Sequence, residues 1–136
     1  MKENKKLVFC TGGTGGHVFP AVSLYESLKK NKYQILFLTD KRCEYILKEN
    51  EINYKILKVS HFNKKKIYWF FSFLTIIRSV ITCMRLFIKN RPDLIVGFGG
   101  YVSFPGLFSA KILKIPFVIH EQNAVMGKAN RVLSNF

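Results

Sequence analysis

Thr11-Gly12-Gly13-Thr14-Gly15-Gly16-His17-Val18-Phe19-Pro20 follows a short apolar run at residues 7–10 and leads into apolar residues at helical spacing: Val18, Ala21, Val22, Tyr25 and Leu28. Strand, glycine turn and helix in that order make an anion-binding turn. Glycine lets the backbone come close to a ligand, and the N–H groups and dipole at the start of the helix favour a phosphate or diphosphate. Pro20 is compatible with a first helical turn. His17 places a titratable ring beside this cradle.

Outward from that turn, short β runs alternate with helical patterns. Residues 6–10 read as a first strand, 34–38 as a second, 54–59 as a third, 94–98 as a fourth and 117–120 as a fifth. Helices are expected over 42–50 and 104–113. The alternation predicts an α/β fold, a Rossmann-like doubly wound parallel sheet with right-handed crossovers. Ligands on such sheets bind beyond the carboxyl ends of the strands. There the first, fourth and fifth strands run into TGGTGGH, GGYVS and HEQN.

The chain of 136 residues is 49% apolar, a globular composition of one-domain size, and its net charge of +14 implies an anionic partner. Cys10, Cys43 and Cys83 form no CxxC pair, so neither a disulfide framework nor a zinc site is expected, and a reducing cytosol fits. The apolar run after the basic N-terminus is too short for a secretory signal.

Residues 67–89, IYWFFSFLTIIRSVITCMRLFIK, resemble a membrane span but are interrupted by Arg78 and Arg85. On a helical projection Trp69, Phe70, Phe73, Leu74, Ile76, Ile77, Val80, Ile81, Cys83, Met84, Phe87 and Ile88 fall on an apolar half, and Ser72, Thr75, Arg78, Ser79, Thr82, Arg85 and Lys89 on a polar one, with Ile67, Tyr68 and Phe71 on the polar side of its start. The expected role is a crossover helix packed on the sheet. Its apolar arc is wider than one sheet face requires. Lys64, Lys65 and Lys66, beside Tyr68, Trp69 and Phe71, add the pattern of contact with an anionic membrane surface.

Other chemistries fit less well. A dinucleotide fingerprint fails at Val18, which stands where the third glycine should be, and no Gly-Lys-Ser/Thr follows for a Walker loop. Asp40 could hold a ribose, although a helix cap is the commoner use of such an Asp. The aromatics lie on a helical stripe rather than a stacking platform, so no nucleic acid is expected as partner. His61 reads as an exposed loop residue. His17 and His120 lie at the ligand edge, and the polar set His120-Glu121-Gln122-Asn123 suits hydrogen bonding to hydroxyls or amides.

TGGTGGHVFPA at 11–21, GFGGYVSFPG at 97–106 and IPFVIHEQNAVMGKANRVLS at 115–134, in this order, closely resemble the amino-terminal domain of the MurG family of GlcNAc transferases. The resemblance covers essentially the whole chain. It implies a GT-B glycosyltransferase, with 1–136 as an acceptor-binding N-terminal domain, incomplete at its C-terminal end, and the UDP-GlcNAc-binding domain outside this chain. The implied reaction is inverting transfer of GlcNAc from UDP-GlcNAc to the C4 hydroxyl of MurNAc in lipid I, undecaprenyl-diphosphate-MurNAc-pentapeptide, giving lipid II for peptidoglycan. No cofactor or metal is implied, and the expected location is peripheral, on the cytoplasmic face of the bacterial plasma membrane. On that resemblance Thr14, Gly15, Gly16, Gly99, Gly100 and Tyr101 offer backbone donors to the diphosphate. His17 is a general base or a diphosphate contact, Glu121 an alternative base or an orienting acid, and Asn123 a partner for GlcNAc hydroxyls. The alternative is a noncatalytic acceptor-binding or membrane-docking module, or half of a split transferase completed by a partner chain carrying the donor domain.

Overall fold

A computed structural model of the chain describes residues 4–59 and 67–135. Five strands, β1 (Lys6–Cys10), β2 (Gln34–Thr39), β3 (Tyr54–Ile56), β4 (Leu94–Gly97) and β5 (Phe117–Ile119), form one parallel sheet in the order β3-β2-β1-β4-β5. Five helices accompany them: α1 (Gly15–Leu28), α2 (Glu44–Glu49), α3 (Ile67–Asn90), α4 (Ser103–Ile112) and α5 (Lys128–Ser134). The expected strands 54–59 and 117–120 are shorter than predicted. β3 stops at Ile56 because it pairs only with the last three residues of β2, through Thr39.

β1 is central, so its side chains alternate between two buried faces. Leu7 and Phe9 join Val18, Ala21, Phe37, Ile46 and Leu47 in a core with α1 and α2 on one side. Val8 and Cys10 join Leu38, Cys83, Phe87, Leu107, Ala110 and Leu133 in a core with α3, α4 and α5 on the other. Phe9 meets the rings of Phe37 and Phe98 at 5.3 and 5.2 Å, tilted as aromatic pairs prefer. The three cysteines are buried and free, packing as small apolar residues, and burial pushes the Cys83 thiol up to about 12.

The topology places the site. From β1 the chain winds outward through β2 to β3, then α3 carries it back across to β4 on the other side of β1. β1 and β4 are therefore neighbours whose following loops diverge, which opens a crevice at their carboxyl ends.

Candidate active site

Two loops close on one histidine in that crevice. After β1, α1 begins at Gly15, earlier than the apolar spacing alone suggests, because the Thr14 carbonyl accepts from the N–H groups of His17 and Val18 at 3.1 and 3.3 Å. Buried Thr11 donates from Oγ1 to the His17 carbonyl at 2.7 Å, tying the first turn to the end of β1. Pro20 consequently lies inside the helix, not in its opening turn. The first N–H groups of α1, at Gly15 and Gly16, point out of the helix without intrahelical acceptors, as at any helix start.

After β4, Gly99 and Gly100 adopt φ of +95° and +77°, where an L side chain is strained. A Cβ on Gly99 would stand 2.9 Å from His17 Nδ1, and one on Gly100 would stand 2.4 Å from the Gly12 carbonyl oxygen. Both positions thus let the loop close over the histidine and the glycine turn. The Gly99 N–H donates to Ser103 Oγ at 3.0 Å, and that hydroxyl lies within 2.9 Å of the Cys10 and Gly99 carbonyls, to one of which its proton goes. This N–H is therefore engaged within the loop, so the contribution of Gly99 as a free backbone donor is not realised.

The half-buried His17 ring sits with Nδ1 3.0 Å from the Phe98 carbonyl oxygen. A carbonyl can only accept, so Nδ1 carries the proton, and a neutral ring keeps its lone pair on Nε2. Gln122 also contacts Nδ1. His17, Gly99, Gly100, Tyr101, Glu121, Gly127 and Asn130 line one cavity of about 220 Å³. A larger cavity of about 430 Å³, lined by Lys6, Gln34, Asn53 and Asn90 among others, lies at the opposite end of β1 and β2, away from these loops.

Glu121 is committed to its own loop. One carboxylate oxygen accepts from the backbone N–H and the side-chain amide of Asn123 at 3.0 and 2.9 Å, and the other from Gly127 N–H and Asn130 Nδ2 at 3.0 and 2.9 Å. The Gly127 N–H first, then those of Asn123 and the amide of Asn130, hold its pKa down to about 2 against desolvation. A carboxylate so stabilised is a poor proton acceptor. Asn123 is exposed and folded back on Glu121, and neither it nor Thr14, Gly15 and Gly16 line the cavity.

Asn130, which the sequence reading did not single out, is 1% exposed. Its amide nitrogen donates to the Glu121 carboxylate and the His120 carbonyl, which fixes the amide orientation and leaves Oδ1 buried without a partner beside the cavity. His120 is exposed, its ring tilted against Phe98 at 5.3 Å. Asp40 is not a side-chain cap of α2. It receives Arg42 Nε and Nη2 at 3.0 and 2.5 Å, because the guanidinium two residues on folds back onto it.

A second surface lies on α3. The buried stripe runs through Ser72, Ser79, Cys83 and Phe87. This corrects the expected polar placement of Ser72 and Ser79: small side chains let the helix approach closely, and Ser79 Oγ donates to the Lys58 carbonyl at 2.7 Å. From α4, Ser109 Oγ similarly reaches the Val80 carbonyl at 3.1 Å. Phe73, Leu74, Ile77, Ile81 and Ile88, expected to pack inward, are instead exposed, Phe73 by 58% and Ile88 by 61%. Lys64, Lys65, Lys66 and His61 lie outside the described residues, as do the side chains of Tyr68, Trp69 and Phe71. Among the described residues, no helix is long and apolar enough to cross a membrane.

Residues 7–136 match the glycosyltransferase family 28 N-terminal domain. A UDP-N-acetylglucosamine–N-acetylmuramyl-(pentapeptide) pyrophosphoryl-undecaprenol N-acetylglucosamine transferase of Rickettsia bellii is 41% identical over 133 residues, 97% of this chain and 36% of that protein. The protein of the same name from Bartonella tribocorum is 40% identical over 138 residues, again 36% of its length. The chain thus spans little more than a third of these relatives. The crystal structure of Acinetobacter baumannii MurG superposes with a TM-score of 0.84 at 31% identity, covering 96% of this chain and 39% of that one.

Proposed function

The chain belongs to the glycosyltransferase family 28 N-terminal domain family, with the Rossmann-like half of a GT-B fold, and from that premise we propose that it forms the acceptor-binding half of a GlcNAc transferase acting on lipid I. The observation that carries the reading is His17: a ring with its Nδ1 proton held by the Phe98 carbonyl, at the switch point of the sheet, beside a helix start suited to a diphosphate.

In this reading the acceptor diphosphate lies against Thr14, Gly15 and Gly16, with Gly100 and Tyr101 opposite. The C4 hydroxyl of MurNAc passes its proton to His17 Nε2 as its oxygen attacks the anomeric carbon of GlcNAc from the face opposite the UDP. The bond to UDP breaks, UDP leaves with the electron pair, and the configuration inverts. Glu121 organises residues 121–130 rather than accepting the proton. Asn130 Oδ1, an empty acceptor, takes a hydroxyl or amide N–H of the bound sugar, and Asn123 faces the GlcNAc across the cleft. The exposed apolar stripe of α3, with Arg78 and Arg85 alongside, rests on the anionic membrane that carries the lipid-linked acceptor.

The test joins this chain to the remaining two-thirds of the Rickettsia bellii relative and measures transfer from UDP-GlcNAc to a lipid I analogue. His17→Ala should lower kcat by roughly 10²-fold or more. Glu121→Ala should lose activity together with loop order. A His17→Ala chimera as fast as its parent would overturn the assignment of the base.

A further inference from the structure

We infer that Gln122 is a positioning residue whose side-chain oxygen, together with the Phe98 carbonyl, holds the proton on His17 Nδ1 and so keeps Nε2 free. The inference deepens the reading of His17 as the proton acceptor and rests on it.

Two contacts at one atom carry it. His17 Nδ1 is in contact with both the Phe98 carbonyl oxygen and the side-chain amide of Gln122. The carbonyl admits one partner, an N–H, so Nδ1 is protonated, and an NH₂ group facing that proton would set donor against donor. Exchanging the amide nitrogen and oxygen, which are alike in shape, removes that conflict: Oε1 accepts from Nδ1–H, and the proton is shared with Phe98.

The consequence is electrostatic as well as geometric. Two oxygens on Nδ1–H fix the tautomer and favour the imidazolium that forms when Nε2 takes a proton, the same logic by which a carbonyl or carboxylate partner raises the basicity of a ligating histidine. The titratable side chains sharing the cavity with His17 are Tyr101 and Glu121, and the Glu121 carboxylate is already occupied by four donors. Gln122 is thereby distinguished from its neighbours in the same loop: Glu121 and Asn123 bind each other, whereas Gln122 reaches 105 residues back to the histidine.

The experiment is a long-range ¹H–¹⁵N correlation on the labelled 136-residue chain, with the His17 ring assigned by loss of its signals in His17→Ala. At a pH where the ring is neutral, Nδ1 should be protonated and Nε2 should show the shift of a bare nitrogen. The share of the neutral ring protonated on Nδ1 should be kept in Gln122→Glu, whose side chain can accept there, and should fall in Gln122→Leu, whose side chain cannot. A proton on Nε2 in the wild type or in Gln122→Glu, or one tautomer ratio for wild type and Gln122→Leu, would overturn the inference. The wild-type spectrum and the Glu variant decide the matter even if the Leu variant fails to fold. No turnover is read here, so a chimera indifferent to His17→Ala would remove the catalytic role without touching this result.

Discussion

Glu121 and Gly99 show how single residues hold the crevice in shape. Because the folded pKa of Glu121 is lowered from an ordinary 4.5 to about 2, its contribution to stability is fully present above the ordinary value and is lost as pH falls toward about 2. Amide signals of Asn123 and Gly127 followed by NMR should therefore keep their folded positions through the ordinary value of 4.5 and move only as the pH approaches about 2. Unchanged signals down to pH 2 in Glu121→Gln, with wild type shifting near 4.5, would refute this clamp. Gly99 acts through sterics: an added methyl would meet His17 at a φ of +95°. Gly99→Ala should cost about 1–3 kcal/mol in urea unfolding, with perturbed His17 ring signals. At this scale the sequence disclosed the residues whose chemistry is local, the glycines and His17 of the first turn. Thr11, Ser103 and Gln122 were legible only as members of their motifs, not in the partners they hold. Ser103 acts on the Cys10 carbonyl 93 positions away and Gln122 on His17 across 105, and no spacing rule reports such partners.

The elements were legible because periodicity is a local property, and α3 marks the limit of that signal. A helical projection divides side chains by polarity, whereas packing divides them by fit. Ser79 is 4% exposed because its hydroxyl finds the Lys58 carbonyl, while larger apolar neighbours such as Ile77 and Ile81 remain in solvent. The prediction reverses what polarity alone suggests. Ser79→Ala should destabilise the fold by about 0.5–1.5 kcal/mol, since it removes the hydrogen bond to the Lys58 carbonyl. Ile77→Ser and Ile81→Ser should change stability by only about 0.5 kcal/mol each. Co-sedimentation with anionic vesicles should follow the other order, reduced in the two Ile variants and unchanged in Ser79→Ala. Equal vesicle binding by wild type and all three variants would remove α3 from the membrane reading, and a Ser79→Ala as stable as wild type would return Ser79 to the polar half first expected.

The whole molecule joins a basic charge of +14 to a crevice built from the carboxyl ends of β1 and β4, within a chain spanning 36% of its Rickettsia bellii relative. Strand order follows from this topology and not from any one segment: β4 takes its place beside β1 only because α3 crosses the sheet. Acceptor binding and sugar transfer should separate accordingly. If the acceptor side of the reaction lies in this domain, the 136 residues should bind a soluble lipid I analogue yet transfer no GlcNAc from UDP-GlcNAc. Affinity should weaken as salt is raised, since exposed charges separated by more than about 8 Å are largely screened near 0.15 M ionic strength. Isothermal titration at two salt concentrations, beside a radiolabelled transfer assay on the same preparation, measures both. Adding the remaining two-thirds of the relative, fused or in trans, should restore turnover without tightening acceptor binding by more than a few-fold. Robust transfer by the isolated chain would show that donor and acceptor share this one crevice, and an acceptor that binds only after the second part is added would move its site out of this domain.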